Sequence, residues 1–219
     1  MTELLVQTLN TGVQLRLPDG RGGLTLVPRR GQDLPHYHFR LGRVVHAARE
    51  LGLFRVQQTL LLSNDHTGDS ELTDLWLDDS LDAPGRSTAV AALVQGARRW
   101  IAQHREACGD WLILELPGWR TPAGVSPFWE ALGARFYPHD WATAQARWGR
   151  AWCSHLAALL PRQTLYLSFL GEAAQQACAQ TDAAHAALLP TLHELGFLPP
   201  LQVRIDDGGP VLSCPLPRG

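Results

Sequence analysis

The chain has 219 residues, of which 45% are hydrophobic and 18% are charged, and its formal net charge is −2. This composition excludes a disordered chain, and the length predicts one domain over residues 1–219. The near-neutral charge argues against a nucleic-acid partner. Because no run reaches about 18 apolar residues and no secretory signal is evident, we expect a cytoplasmic protein without a membrane anchor.

The first third of the sequence predicts strands joined by turns. Strands are expected at residues 4–9, 13–17 and 24–27, around Asn-Thr-Gly and Pro-Asp-Gly turns. Apolar residues with helical spacing predict a helix over residues 42–51, ended by Gly52. Residues 59–63 and 71–77 are predicted to form a hairpin around turn-forming residues 64–69. The unbroken apolar run Leu75, Trp76, Leu77 indicates a central strand buried on both faces.

The remaining sequence alternates helices with strands. Helices are predicted from about residue 88 to 105, over 127–132 and 143–160, and in two stretches around Gln175 and Glu194. Strands are predicted at residues 111–116, 201–205 and 211–214. This mixture indicates an α/β or α+β fold.

The strand, loop and helix between residues 71 and 105 are a candidate anion site. The N-terminus of a helix presents unpaired N–H groups and the positive end of the helix dipole. The loop residue Gly85 and the helix start near Ser87 would place such a site at the end of a buried strand. The alternative is that Gly85 only makes a turn and Ser87 only caps the helix.

Five segments, in order along the chain, resemble motifs of one enzyme family. They read HFRLGRVVHAARELGLF (38–54), LSNDHTGDSEL (62–72), SPFWEALGARFY (126–137), LPRQTLYLSFL (160–170) and DDGGPVLSC (206–214). In combination they are specific, and the sequence is similar to the arginine N-succinyltransferases, which have the GNAT-like fold of acyl-CoA N-acyltransferases.

The resemblance implies a mixed, mostly antiparallel sheet flanked by helices. It also implies transfer of a succinyl group from succinyl-CoA to the α-amino group of arginine, in arginine catabolism. Succinyl-CoA would be a co-substrate, with no permanently bound cofactor. We also expect a homodimer or a heterodimer with a related chain.

The sequence departs from the family pattern at several points. It is shorter at both ends and is expected to lack the usual first strand and two helices. Asp82 stands where the CoA-binding loop has Arg or Gln, Pro117 where the family tends to have Arg, and Ser168 where it tends to have His. The missing N-terminal elements and Asp82 motivate an alternative, in which the chain is a non-catalytic or regulatory subunit of that family. A third hypothesis is a small-ligand sensor without chemistry.

The resemblance assigns roles to residues of the matching segments. His66 and Glu71 are candidates for the general base, and a backbone N–H of Leu75, Trp76 or Leu77 for stabilising the oxyanion. Predicted substrate-binding residues are Asn64, Asp65, Glu115 and Ser126. Predicted CoA-binding residues are Leu77, Gly85, Arg86, Ser87 and Thr88.

Several of these residues have simpler alternatives. His66 is equally compatible with a solvated turn residue, and Glu115 with a structural ion pair. Tyr137 is a possible proton donor to the thiolate, although packing is favoured. His36 and His38 form an H-x-H pair that is expected to be exposed, because further ligands are not identifiable and no metal site is predicted.

Overall fold

The computed structural model describes residues 4–217, and the side chains of all of these except 141, 142 and 150. Within this range the strands are β1 (Leu5–Leu9), β2 (Gly12–Arg16), β3 (Gly22–Val27), β4 (His38–Ala48), β5 (Leu53–Ser63), β6 (Ser70–Leu77), β7 (Trp111–Glu115), β8 (Leu165–Tyr166), β9 (Leu198–Arg204) and β10 (Pro210–Pro215). The α-helices are α1 (Ala83–Gln103), α2 (Pro127–Ala131), α3 (Trp141–Trp148), α4 (Trp152–Leu159), α5 (Glu172–Ala177), α6 (Ala183–Ala186) and α7 (Leu189–Glu194).

The strands form one mixed sheet in the order β1-β2-β3-β6-β7-β10-β9-β4-β5-β8. Neighbouring strands are antiparallel, except for the parallel pair β6 and β7. Helix α1 makes the crossover between these two strands, as a parallel pair requires. The predicted mostly antiparallel sheet with flanking helices is confirmed.

β6 and β7 are paired over a short stretch and then separate. Their register covers three residue pairs, of which the last is Leu72 with Leu114. Opposite β3, the register of β6 shifts between Thr73 and Trp76. Within that shift Asp74 has a φ of 52°, so one extra residue bulges out and bends the strand. The bend opens a gap between β6 and β7.

The predicted helix over residues 42–51 is wrong. Residues 42–48 belong to β4, which pairs with β5 from His38 and Ser63 to Ala48 and Leu53, and residues 49–51 form a short turn. Adjacent β-branched residues such as Val44 and Val45 fit a strand at least as well as a helix. Gly52 does end the turn, at a φ of 58°, but the turn joins two strands.

The predicted hairpin between residues 59–63 and 71–77 is also wrong. Four strands lie between β5 and β6 in the sheet. In a flat sheet this is a separation of about 24 Å. The six linking residues are compacted by turn bonds from Thr67 N to Asn64 O and from Asp69 N to His66 O, so they cannot span that distance. The sheet therefore curls, which brings the end of β5 close to the start of β6.

Three smaller expectations also need correction. Helix α1 begins at Ala83 rather than near residue 88, because Asp82 caps it and Pro84 lies in its first turn. The helix predicted over residues 143–160 is interrupted at Gly149, where φ is 53°. Trp76 is exposed, so the end of β6 is not buried on both faces.

Two hydrophobic cores stabilise the two halves of the sheet. The first lies beneath α1 and includes Leu26, Leu72, Val90, Leu93 and Leu112. The second includes Phe39, Leu60, Phe128, Trp152 and Val203. Tyr137 is buried in this second core, which confirms its packing role. The four cysteines are free thiols. Among the described residues, none of the helices is both long and apolar enough to cross a bilayer.

The β4–β5 hairpin offers a test of this arrangement. Phe39 at its inner end is 0% exposed, whereas Phe54 near its tip is 71% exposed. We expect Phe39→Ala to lower the free energy of unfolding by about 3–5 kcal/mol. Phe54→Ala, the matched control, should change it by less than about 0.5 kcal/mol. Denaturant titration followed by circular dichroism measures both free energies. Equal losses would contradict a hairpin that is buried at Phe39 and exposed at Phe54.

Candidate active site

A cleft of about 840 Å³ lies where β6 and β7 separate. Strand β6 contributes Glu71, Thr73 and Asp74, and β7 contributes Glu115. The other walls come from residues 8–13 and 27–36, from Trp100, Ala107 and Gln145, from the start of α4 and from the β9–β10 connection. The polar lining from these walls includes Arg30, His36, Cys153, Arg204 and Asp206. The cleft thus concentrates acidic and basic groups at one end of the sheet.

Glu115 is the hub of a histidine cluster. Its Oε1 atom lies 2.7 Å from His36 Nε2 and 2.7 Å from His38 Nε2. Burial alone would raise the pKa of Glu115, but the charges and hydrogen bonds of the two imidazoles hold that pKa well below its usual value. Glu115 is therefore a carboxylate at neutral pH.

The two histidines differ in their environment. Burial disfavours the charged form of His36, but the Glu115 carboxylate outweighs this, and the pKa of His36 is raised. His38 is completely buried, and burial lowers its pKa. The predicted exposure of this H-x-H pair is wrong, because the curled sheet brings Glu115 of β7 over the start of β4.

Arg204 connects Glu115 to a second acidic group, Asp206 and Asp207. Its guanidinium donates to Glu115 Oε2 at 3.4 Å, to Asp207 Oδ1 at 3.0 Å and to both oxygens of Asp206. Burial and the neighbouring Asp206 raise the pKa of Asp207 to about 6, although Arg204 opposes the shift.

Glu71 lies in the cleft, paired with Arg30. Glu71 is 3% exposed, and Arg30 Nε lies 3.0 Å from its Oε2. His66, the other candidate base, does not line the cleft. It is 8% exposed, bonds to Asp69 Oδ2 through Nδ1 at 2.8 Å, and has its ring centre 5.7 Å from that of His38. The alternative of a solvated turn residue is therefore wrong for His66.

The other predicted substrate-binding residues lie outside the cleft. Asn64 is exposed in the turn between β5 and β6. Asp65 pairs with Arg40, and that guanidinium lowers the pKa of Asp65. Ser126 is buried and caps α2 by accepting from the Trp129 N–H at 3.2 Å. Of the four predicted substrate-binding residues, Glu115 alone lines the cleft.

The predicted CoA-binding residues lie around the start of α1, apart from the cleft lining. Asp82 Oδ1 accepts the Gly85 N–H at 2.9 Å, so the cap is Asp82 and not Ser87. Gly85, Arg86, Ser87 and Thr88 lie within the helix, and the Thr88 hydroxyl donates to the Pro84 carbonyl. A carboxylate thus occupies the helix end that was predicted to receive a phosphate.

Several groups of the site escaped prediction. Arg30 and Asp206 were not singled out from the sequence, and no local pattern links them with His36 and Arg204, which come from segments far apart in the chain. The H-x-H spacing was the one usable signal, since residues two apart share a face of a strand. His36, His38 and Glu115 offer three metal-ligand atoms within 4.8 Å of one another, so a third candidate ligand does exist.

Comparison with known proteins identifies the fold and the family. A sequence model described as arginine N-succinyltransferase beta subunit matches residues 19–218. Curated relatives named arginine N-succinyltransferase, from Escherichia coli (strain K12 / DH10B) and Escherichia fergusonii, are each 34% identical over 188 residues. That alignment covers 86% of this chain and 54% of each relative, so the chain spans about half the length of the curated relatives it matches.

A solved structure gives the same result. The arginine/ornithine succinyltransferase subunit AI from Pseudomonas aeruginosa superposes with a TM-score of 0.71 and 26% identity, over 95% of this chain and 62% of that one. The family match, the sequence identity and the shared fold agree. The chain therefore belongs to the arginine N-succinyltransferase beta subunit family.

Proposed function

We propose that this chain transfers a succinyl group from succinyl-CoA to the α-amino group of arginine. The observation that carries the proposal is the charged cleft at the parting of β6 and β7, in a chain whose relatives are named for this reaction. The reaction needs a base for the amine, a polarised thioester carbonyl and sites for charged substrates.

Strand β6 supplies the group that would polarise the carbonyl. Beyond Leu72, within the described residues, β6 has no paired partner on its β7 side. Backbone N–H groups of Leu75, Trp76 or Leu77 are therefore candidates to donate to the developing oxyanion. Preorganised donors of this kind supply the largest share of stabilisation in acyl transfer.

Glu71 is the base that we propose. It lies in the cleft, and its carboxylate is held by Arg30. The ring of His66 packs against that of His38, which in turn bonds to Glu115 of the cleft, so we propose a positioning role for His66. The carboxylate of Asp206 suits the cationic groups of arginine, and the guanidiniums of Arg30 and Arg204 suit the carboxylates of both substrates.

The CoA phosphates are proposed to lie at the N-terminus of α1, near Leu77, Gly85, Arg86, Ser87 and Thr88. The positive end of the helix dipole favours an anion there. The negative charge of Asp82 opposes phosphate binding there, so removal of this charge is expected to raise the affinity for CoA.

Replacement of the base tests the proposed chemistry. We expect Glu71→Gln to lower kcat for CoA release from succinyl-CoA and arginine by about 10²–10⁴-fold, because the amine loses its proton acceptor. Thiol release measured with a chromogenic disulfide gives the rate. Glu172→Gln, at an exposed glutamate of α5, is the control and should keep full activity.

Circular dichroism must show that the Glu71→Gln protein is folded, because Arg30 loses its charged partner. A folded variant with unchanged kcat would contradict the assignment. Binding of succinyl-CoA by the unaltered chain without thiol release would instead favour the non-catalytic subunit.

Replacement of the helix cap tests the CoA site. Asp82→Asn keeps a good N-cap and removes one negative charge. We expect calorimetry to show CoA binding tightened by roughly two- to fivefold, since charges at a helix terminus contribute about 0.3–1 kcal/mol. Asp182→Asn, the same change at the cap of α6, is the control. Equal affinity in all three proteins would place the phosphates elsewhere.

We propose that the chain forms a homodimer, or a heterodimer with a related chain. Strand β1 is an edge of the sheet and exposes Leu5 and Val6, and proteins usually cover such edges. Sedimentation velocity of the purified chain should show a dimer at micromolar concentration. A stable monomer would leave the heterodimer, which a copurified related chain would reveal.

A further inference from the structure

The histidine cluster has a placement that the acyl transfer described above does not explain. His36 and His38 are two residues apart, so both side chains project to the same side of the chain. Glu115 ends β7, three strands from β4 in the sheet. A flat sheet would separate these strands by about 14 Å, yet the side chains lie within hydrogen-bond distance because the sheet curls.

The three facing atoms are metal-ligand atoms. They are two imidazole Nε2 atoms and one carboxylate Oε1, and all lie within 4.8 Å of one another. Two imidazoles with one carboxylate form a common set for Zn²⁺, whereas Mg²⁺ and Ca²⁺ prefer oxygen ligands alone. We propose that His36, His38 and Glu115 bind one Zn²⁺ ion, a function beyond the acyl transfer proposed above.

Local charge favours such an ion. Two ion-paired groups lie around the three residues: Arg30 with Glu71, and Arg204 with Glu115, Asp206 and Asp207. With all four carboxylates ionised, and counted without the histidines, these groups carry a net charge of 2 − 4 = −2. A divalent cation offsets this surplus.

The surrounding contacts suit metal ligation. Arg204 holds Glu115 by Oε2, which leaves Oε1 for an ion, and outer hydrogen bonds of this kind orient ligating carboxylates. His38 Nδ1 is buried and has no hydrogen-bond partner. Its proton can therefore move from Nε2 to Nδ1 without breaking another protein contact, and Nε2 then offers a lone pair.

The site would remain open on one side. Three protein ligands leave one position of a tetrahedral ion for water or a ligand atom. His36 and Glu115 both line the cleft, whereas His38 lies behind them. The open position therefore faces the cleft, where a bound oxygen atom of a small molecule could reach it.

Calorimetric titration with ZnCl₂ alone, after chelator treatment of the full chain, tests this inference without any substrate. We expect one equivalent to bind with a dissociation constant of about a micromolar or tighter. Co²⁺ should give the visible absorption of a four-coordinate ion. His36→Gln and Glu115→Gln should each weaken Zn²⁺ binding by at least about 100-fold, since loss of outer contacts alone costs about 10–100-fold.

The controls separate this site from other zinc-binding groups. His185→Gln removes a histidine paired with Asp182 at 2.8 Å outside the cluster and should leave binding unchanged. Cys153→Ser removes the thiol of the cleft and should also leave Zn²⁺ binding unchanged. Loss of binding in Cys153→Ser, unchanged affinity in His36→Gln and Glu115→Gln, or no stoichiometric binding to the folded chain would each overturn the proposal.

Discussion

The short parallel contact between β6 and β7 is the constraint on which the rest of the molecule depends. The strands pair over three residues and then separate, because β6 follows β3 through the bulge at Asp74. A longer pairing would close the gap with backbone hydrogen bonds. The separation leaves the end of β6 accessible from the side and places Glu71 and Glu115 at the base of the opening.

Curvature of the sheet then supplies the remaining walls. It brings the start of β4 and the β9–β10 connection to the same opening, so that buried charges meet in compensated groups. Arg30 compensates Glu71, and Arg204 compensates Asp206, Asp207 and Glu115. Removal of one partner from a buried pair costs about 3–5 kcal/mol. The polar groups of the cleft therefore contribute to folding as well as to binding.

The sequence predicted the elements whose evidence is local. β2, β3 and β7 have turn residues or breakers at their ends, and α1 has a long apolar stripe. β4 is a strand although Val44, Val45, Ala48 and Leu51 have helical spacing, because β-branched residues also suit strands and pairing with β5 decides between the two. The turn residues 64–69 showed that the chain turns, but they carry no information about which strand lies alongside.

The site was predictable to the extent that it follows the family motifs. Glu71 and Glu115 lie in the cleft, whereas His66, in the same motif as Glu71, lies outside the cleft lining and bonds to Asp69. The contacts of His36 and His38 with Glu115 join residues 79 and 77 positions apart. Glu115 meets the two histidines only because the sheet curls, and no local sequence pattern predicts that contact.

The two proposed functions of the cleft are coupled through charge. Glu71 contributes to the raised pKa of His36. The proposed base and the histidine cluster therefore interact electrostatically. A cation held by Glu115 would lower the proton affinity of Glu71, because a nearby positive charge favours the ionised carboxylate. The same cation would stabilise negative charge that develops on a thioester oxygen. Bound zinc would thus weaken the base while strengthening the electrophile, and the balance depends on how far the reacting carbonyl lies from the ion.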